Sequence, residues 1–114
     1  MELKFTTYRL KLVHSFNISR SKNSWYDITY IYLIDGDIIG RGEAAPSIRY
    51  NESNEKIYSC LRKIKLSQNK FNLNSLRDYI TPKLNKIKSL ESAFGMAILD
   101  WWAQKKKITV SNLL

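Results

Sequence analysis

The segment from Ser89 to Ala103 is apolar on almost every side, and it limits the possible folds more than any other part of the chain. Only Ser92, Gly95 and Asp100 interrupt its run of apolar residues, and these three are too few to form a polar helix face. A helix that is apolar on all sides has to be covered on all sides. The sequence therefore predicts a helix with one side on the chain's own sheet and a second side that needs another cover.

The size of the chain limits how much of this helix it can cover. With 114 residues, the chain forms one domain with one modest core. Trp101 and Trp102 lie side by side near the end of the helix, close to Met96 and Leu99. We expect both indoles to be exposed, which makes an apolar patch of the size that marks an interface. The chain is therefore expected to be an incomplete protein or to need a partner.

Three segments with strand character precede the helices. Alternating residues indicate a strand over 2–13, a stronger one over 25–34 and a third over 38–45. The tripeptide Asp-Gly-Asp at 35–37 is typical of a tight turn. The simplest arrangement is a three-stranded antiparallel meander followed by three to four helices, which is an α+β fold.

Apolar residues at helical spacing indicate helices in the second half of the chain. An amphipathic helix is expected over 54–65, with Glu52 and Glu55 in its first turn. Asn74 is a candidate N-cap for a short second helix, and Ser89 is the candidate N-cap of the long apolar helix. These assignments place all helices after the sheet.

Composition excludes several classes of protein. No run of about 18 apolar residues is present, so no membrane-spanning helix is predicted. The first residues alternate like a strand and do not resemble a signal peptide. Cys60 is the single cysteine, which excludes an internal disulfide and a structural zinc cluster. We expect Cys60 to be a small apolar core residue and the protein to be cytoplasmic.

The net charge of +9 is regional. Residues 54–90 carry nine Lys or Arg against two acids, which leaves about +2 for the rest of the chain. A solvated helical face explains such a segment more simply than a nucleic-acid surface does. Tyr30 and Tyr32 could stack on bases, but we expect them to pack beneath the helices.

Three polar residues are candidates for chemistry, and each has a simpler structural role. His14 lies beside a strand with no acid partner near it in sequence, which favours a structural or surface position. We expect Glu43 to be a buried, hydrogen-bonded carboxylate in the third strand. Asp100, on the apolar helix, is expected to pair with an arginine or to cap a backbone group.

Three stretches of sequence carry a family resemblance. They are Leu-Lys-Leu-Val-His-Ser-Phe-Asn-Ile-Ser-Arg at 10–20, Gly-Arg-Gly-Glu-Ala-Ala-Pro at 40–46 followed by Arg-Tyr-Asn-Glu-Ser at 49–53, and Ser-Ala-Phe-Gly-Met-Ala-Ile-Leu-Asp at 92–100 with Ala103. In this order and at this spacing the chain resembles the N-terminal part of enolase-superfamily enzymes of the muconate-lactonizing type. Within that group it is most similar to dipeptide epimerases, the L-Ala-D/L-Glu epimerase group.

This resemblance implies a capping domain that belongs to a larger enzyme. Residues 1–88 would form the cap, with its sheet in 2–45 and helices from 54, and residues 89–114 would be a helix and tail leading toward a (β/α) barrel. In that family the barrel carries the Mg2+-binding carboxylates and the catalytic lysines. The resemblance therefore implies that this chain has no catalytic residue and no metal ligand, and that it is inactive alone.

The resemblance also implies that two loops, 14–24 and 47–53, contact the substrate. Phe16 and Ile18 would line an apolar pocket, and Arg20 would bind a substrate carboxylate with its guanidinium. The full set of predicted substrate-binding residues is Phe16, Ile18, Arg20, Ile48, Arg49 and Tyr50. The alternative is that the two apolar side chains pin the first loop to the core and that both arginines are solvated.

The implied function is the specificity cap of a Mg2+-dependent dipeptide epimerase, an isomerase that abstracts the proton α to a carboxylate. Its partners would be the missing barrel, a small dipeptide and, in a homo-oligomer, further copies of the enzyme, with no membrane. Three alternatives stay open: the cap of a cycloisomerase or an o-succinylbenzoate synthase, a free-standing basic module that binds nucleic acid, and a degenerate gene product without activity. Steeply salt-dependent binding to unrelated oligonucleotides would identify the basic module.

Overall fold

A computed structural model of the chain describes residues 1–11, 25–45, 52–66 and 70–113. Within them, three antiparallel strands lie in the order β1 (Glu2–Lys11), β2 (Trp25–Asp35) and β3 (Ile38–Ala44). Strand β1 pairs with β2 in one unbroken register, from Glu2 opposite Ile34 to Lys11 opposite Trp25. The predicted meander is confirmed.

Helices follow the sheet and complete the predicted α+β fold. The described residues form α1 (Asn54–Lys63), α2 (Leu73–Ile80), a 3-10 turn (Thr81–Leu84), α3 (Lys88–Lys106) and the short α4 (Val110–Leu113). None of these helices combines the length and the apolar character needed to cross a membrane. The predicted division of the chain at residue 88 stays a prediction.

The helix starts differ in part from those predicted. The Ser53 side chain accepts a hydrogen bond from the Lys56 backbone N–H and caps α1. Helix α2 starts with a capping box between Asn72 and Ser75, in which each side chain accepts from the other residue's backbone N–H. The candidate cap Asn74 is wrong, because it lies inside the helix that Asn72 already caps.

The core lies between the helices and the inner face of the sheet. Ile31 and Leu33 are fully buried there, whereas Tyr30 and Tyr32 lie on the outer face and are partly exposed. The prediction that these tyrosines pack beneath the helices is wrong. Successive side chains of a strand alternate between faces, so burial of Ile31 and Leu33 directs the tyrosines outward. Tyr30 instead contacts Tyr8 edge-on, with ring centroids 5.3 Å apart.

Two other single-residue predictions have opposite outcomes. Cys60 is buried in the core, and this burial raises the pKa of its thiol, so the predicted role as a core residue is confirmed. Glu43 is exposed on the outer face, opposite Tyr30, and the prediction of a buried carboxylate is wrong. Its neighbours Gly42 and Ala44 occupy the buried positions, and the alternation of the strand leaves Glu43 outside.

Helix α3 lies against β3 at backbone contact distance. A Cβ atom at Gly40 would lie 2.3 Å from the carbonyl oxygen of Ala97, and one at Gly42 would lie 2.0 Å from that of Ala93. Any side chain at either position would collide with helix backbone. The two glycines are two residues apart, so both gaps face the same side of the strand and admit one straight helix.

Helix α3 also covers the free edge of β3. The Arg41 backbone N–H donates to the Asp100 carboxylate at 2.9 Å, and the Gln104 side-chain amide donates to the Ile39 carbonyl at 2.7 Å. The predicted role of Asp100 in capping a backbone group is confirmed. Because these edge groups are satisfied, this edge of the sheet is closed to pairing with another strand.

The close approach of α3 buries Trp101 within the chain. Trp101 is 0% exposed, and its indole N–H donates to the Asp35 carboxylate at 2.9 Å. The prediction that both indoles are exposed is therefore wrong for Trp101, whereas Trp102 is partly exposed. The reason is Gly40, because a Cβ there would lie 2.7 Å from the Cβ of Trp101.

One face of α3 is only partly covered by the described residues. It consists of Ser92, Met96, Leu99 and Trp102, all exposed or partly exposed, with Met96 at 48%. Residues spaced by three or four positions align on one side of a helix, so these four form a continuous strip. We call it the α3 strip.

Candidate functional site

All six predicted substrate-binding residues lie outside the described residues: Phe16, Ile18, Arg20, Ile48, Arg49 and Tyr50. The same holds for His14. Their predicted roles stay predictions. The structure does describe the residues that flank both segments, and these define where the segments start and end.

Both segments are attached at one end of the sheet. Residues 12–24 connect the end of β1 to the start of β2, and residues 46–51 follow the end of β3. Lys11 lies opposite Trp25, and Ala44 lies opposite Thr29. We call this the loop end of the sheet and the opposite end, at the turn between Asp35 and Ile38, the turn end.

Three polar side chains meet at the loop end, and we call them the Asp27 cluster: Arg9, Asp27 and Asn54. Arg9 lies directly opposite Asp27, and its Nε donates to Asp27 Oδ1 at 3.0 Å while a terminal nitrogen donates to Oδ2 at 3.4 Å. The Asn54 side-chain amide donates to the same Oδ2 at 2.6 Å. Asn54 is the first residue of α1, so Asp27 joins both strands to the start of this helix.

A second polar group lies next to the first, and we call it the Thr29 cluster: Thr7, Thr29 and Tyr58. The Tyr58 hydroxyl donates to Thr7 Oγ1 at 2.5 Å, and the Thr7 and Thr29 hydroxyls lie 3.1 Å apart. Thr29 is fully buried. The Tyr58 ring also stacks with Phe5, with centroids 6.3 Å apart. Helix α1 is thus attached to β1 and β2 at two successive levels.

Arg9 and Asp27 of the Asp27 cluster carry opposite charges, and each favours the charged form of the other. The hydrogen bond from Arg9 holds the pKa of Asp27 below its usual range, although desolvation of the carboxyl acts in the opposite direction. The same hydrogen bond raises the pKa of Arg9. Asp27 is therefore an anion at neutral pH, and as an ionised carboxylate it can only accept hydrogen bonds.

Glu52 attaches the end of the second segment to α3. Its carboxylate accepts a hydrogen bond from the Ser89 backbone N–H at 3.3 Å. Helix α3 starts at Lys88 with Ile87 as its N-cap, so Ser89 lies in the first turn and is not the cap that was predicted. Glu52 precedes the α1 cap Ser53, so its predicted place in the first turn of α1 is wrong. A carboxylate is favourable at this position because the N-terminus of a helix is partly positive.

The described residues do not form a metal site. No group of three or more His, Cys, Asp or Glu side chains that could hold an ion occurs in the described ranges. At the loop end the Asp27 cluster offers one carboxylate, and that carboxylate is already neutralised by Arg9. The described part of the chain can therefore orient and bind through hydrogen bonds, but it does not fit a Mg2+ ion.

Sequence analysis did not find the Asp27 cluster. Arg9 and Asp27 carry opposite charges on neighbouring strands, which is a usable signal once the register of the strands is known. The register between β1 and β2 is not fixed by a tight turn, because 13 residues (12–24) connect them. Asn54 gave a weaker signal still, since an Asn at a helix start is commonly read as part of a cap.

The chain is similar in sequence to a curated epimerase. It is 33% identical over 119 residues to an L-Ala-D/L-amino acid epimerase from Pedosphaera parvula (strain Ellin514), with all of this chain and 34% of the relative covered. The chain thus spans about a third of the length of the curated relative that it matches. No protein-family model matches the chain.

The fold of this chain also occurs in solved structures. The chain is similar to an enolase family member from Agrobacterium tumefaciens with homology to dipeptide epimerases, which holds bound sodium and L-Ala-L-Glu with an ordered loop. The TM-score is 0.67 at 24% identity, over 97% of this chain and 33% of that chain.

A second structure, of an L-Ala-D/L-Glu epimerase, is similar with a TM-score of 0.59 at 17% identity, over 97% of this chain and 32% of that one. At these identities the two structures support the fold, and the sequence relative supports the resemblance inferred from the three motifs. The chain therefore matches about one third of the length of an L-Ala-D/L-amino acid epimerase, and it shares its fold with part of two solved enzymes.

Proposed function

We propose that this chain is the substrate-selecting cap of a dipeptide epimerase. The observation that supports this most is the extent of the match, since the whole chain aligns with one third of an epimerase. The complete enzyme would invert the configuration at a carbon α to a carboxylate by removing and returning a proton. Such a carbon is a very weak acid, so the reaction needs a positioned base on each face and a stabilised enediolate.

The chemistry of proton transfer is assigned to another part of the enzyme. A divalent cation such as Mg2+ supplies the stabilisation of the enediolate in reactions of this type. The described residues of this chain do not fit such an ion, so we assign the chain no step at the metal. The function of the cap is to bind the side chains of the dipeptide and to exclude water from the reacting carbon.

The two segments at the loop end are the proposed contacts to the substrate. Phe16 and Ile18 would provide an apolar surface for the first side chain of the dipeptide. Arg20 would bind a carboxylate of the second residue in a bidentate pair. The remaining proposed contacts are Ile48, Arg49 and Tyr50. The dipeptide and the ordered loop in the Agrobacterium tumefaciens protein support this assignment, because they occur together in a similar fold.

The α3 strip is the proposed contact with the missing barrel. Met96, Leu99 and Trp102 form an apolar surface that the described residues cover only in part. Burying this apolar surface against a second domain would stabilise the contact by about 25 cal/mol per Å2. We also propose that the enzyme is cytoplasmic, since the one cysteine of this chain, Cys60, is a buried free thiol. We further propose that copies of the complete enzyme associate into a homo-oligomer.

The alternative as a nucleic-acid-binding module has a physical obstacle. The outer face of the sheet exposes Tyr8, and Tyr30 and Tyr32 lie beside it, which would suit base stacking. The dense positive segment, however, includes Arg62 and Lys63 of α1, which packs on the inner face of the sheet. On the outer face Tyr32 has the exposed Lys4 and Arg41 opposite it, but the dense positive segment of α1 lies on the other side of the sheet, and we favour the cap.

A fusion protein tests the proposed function. This chain would replace the matching third of the Pedosphaera parvula relative, and incorporation of solvent deuterium at the α-carbon of L-Ala-L-Glu would be followed by mass spectrometry. We expect exchange by the fusion and none by the 114-residue chain alone. A folded fusion without exchange, beside an active relative, contradicts the proposal. Oligonucleotide binding that survives 150 mM salt would instead support the basic module, since weak electrostatic binding is lost at about that ionic strength.

A further inference from the structure

We propose that the Asp27 cluster is a positioning device that couples the two substrate-contacting segments to each other. The inference rests on the proposed function for its link to substrate. Its structural part, that Asp27 joins the attachment points of residues 12–24 and 46–51, rests on contacts among described residues alone. Arg9, Asp27 and Asn54 are therefore assigned as positioning residues, not as groups that touch the substrate.

Asp27, on β2, is the acceptor in this cluster for donors from both β1 and α1. Arg9 is two residues before the end of β1, Asp27 is two residues after the start of β2, and Asn54 is three residues after segment 46–51. Both carboxylate oxygens are used, one by Arg9 alone and one by Arg9 and Asn54. A displacement of either segment's attachment point therefore has to stretch a hydrogen bond to the same carboxylate.

The residues of the two polar clusters are spaced two apart on each strand and four apart on α1. Thr7 and Thr29 lie two residues from Arg9 and Asp27, so all four face the same side of the sheet. Tyr58 lies four residues after Asn54 and so occupies the same side of α1. Each cluster thus contains one residue from β1, one from β2 and one from α1. This repetition makes α1 a rigid link between the strands and the second segment.

The two clusters differ in how they are built. The Thr29 cluster is neutral, contains a fully buried threonine and stacks against Phe5, as a structural contact does. The Asp27 cluster is charged, and the Arg9 side chain is 66% exposed. Exposed ion pairs contribute little to the stability of a fold. A cluster that adds little stability but joins two attachment points serves to position them.

Asn54 shows the same priority of position over stability. Its amide nitrogen donates to Asp27, while its Oδ1 is buried and has no hydrogen-bond partner among the described residues. A buried acceptor without a partner is unfavourable, and native folds keep few of them. Among the described residues, the hydrogen bond to Asp27 is therefore the one side-chain hydrogen bond that Asn54 makes.

Hydrogen exchange on the 114-residue chain tests the coupling without any substrate. The variant Asn54→Ala removes the link from the side of the second segment and leaves the Arg9–Asp27 pair in place. We expect exchange of the backbone amides of residues 9–11 and 25–27 to accelerate about fivefold, the effect of one lost hydrogen bond on a local opening. The matched control Glu55→Ala changes an exposed neighbour in the same helical turn and is expected to leave these amides unchanged.

The exchange measurement can also overturn the coupling. Acceleration confined to residues 52–56 means that the two attachment points are independent. Equal acceleration in α3 means that Asn54→Ala weakens the whole fold and not the link. Unchanged exchange throughout means that the hydrogen bond to Asp27 carries no constraint. Recovery of slow exchange in the variant Asn54→Gln, which restores the amide donor, would support the positioning role.

The link to substrate is tested separately on the fusion protein. Asn54→Ala is expected to raise KM for L-Ala-L-Glu about fivefold and to change kcat by less than about twofold, because the contacts are displaced while the proton transfer is not. An unchanged KM beside a positive exchange result overturns the link to substrate but not the coupling. An inactive wild-type fusion contradicts the proposed function, and the exchange result then decides the coupling alone.

Discussion

The two ends of β2 each carry an aspartate with similar partners. Asp35, at the turn end, accepts hydrogen bonds from the Trp101 indole at 2.9 Å and the Lys105 ammonium at 3.0 Å. Asp27, at the loop end, likewise accepts from one cation and one neutral N–H group. The carboxylates are similarly accessible, with side chains 29% exposed for Asp35 and 19% for Asp27.

The difference lies in what the neutral donor does besides donating. Trp101 is fully buried in the core, so the contact to Asp35 is fixed by the packing of α3 on the sheet. Asn54 is a short, partly buried side chain at a helix start, and it adds no comparable apolar contact. The turn end therefore contributes to stability, and the loop end contributes to position. The segments that we propose to select the substrate are attached at the loop end, where hydrogen bonds to Asp27 set the geometry of the attachment points.

The largest expected effect is at the contact of α3 with β3. Gly42→Ala places a methyl group against the backbone of Ala93, which the helix cannot avoid without moving. We expect the free energy of unfolding to fall by about 3 kcal/mol, measured by urea titration with far-UV circular dichroism. The control Gly95→Ala, where nothing lies within 4 Å of the new Cβ, is expected to stabilise α3 by up to about 1 kcal/mol. Equal effects of the two variants would show that the glycine contact is not what holds α3.

The second effect is at the turn end itself. Trp101→Phe removes the donor to Asp35 and leaves a small cavity, for an expected loss of about 2 kcal/mol in the free energy of unfolding. Trp102→Phe changes a partly exposed side chain on the α3 strip and is expected to lower the free energy of unfolding by less than about 1 kcal/mol. Thermal unfolding of both variants provides the measurement. A larger loss for Trp102→Phe than for Trp101→Phe would contradict the assignment of the stabilising contact to Trp101.

The third effect is the pH dependence of stability. The hydrogen bond from Trp101 is the largest cause that lowers the pKa of Asp35, followed by the one from Lys105. Since the folded pKa is lowered, this contribution is complete above the ordinary pKa of about 3.9 and is lost as pH falls through the lower folded value. Asp35→Asn is expected to flatten the decline of stability in acid. Urea titrations from about pH 6 to pH 2 follow it, and parallel curves for variant and wild type would refute the assignment.

The smallest effect on stability is expected at Asp27. The pKa of Asp27 is also lowered, by the hydrogen bond from Arg9, so its contribution has the same sign and pH direction. Arg9 is largely exposed, and solvent and salt screen its charge. Asp27→Asn is therefore expected to shift the urea midpoint less than Asp35→Asn does, with Asp37→Asn at the exposed turn as the unchanged reference. The reverse order would assign stability to the loop end and contradict the comparison.

Sequence patterns predicted the elements better than the contacts between them. Alternation placed β2 and β3 within one residue of their ends, and the apolar spacing from Asn54 located α1. The burial of Trp101 was missed because it depends on how near α3 approaches Gly40, a distance that no periodicity encodes. The Asp27 cluster was missed because it depends on a strand register that the 13-residue connection at 12–24 leaves open.

Substrate selection by this chain, as we propose for a dipeptide epimerase, would be visible in the substrate preference of the fusion protein. The ratio of kcat/KM for L-Ala-L-Glu to that for L-Ala-L-Ala would be compared between the fusion, its Arg20→Gln variant and the intact relative. We predict that the fusion has its own ratio, different from the relative's, and that Arg20→Gln lowers it about tenfold through loss of the pairing with a carboxylate. A fusion that keeps the ratio of the relative and does not respond to Arg20→Gln would contradict the account.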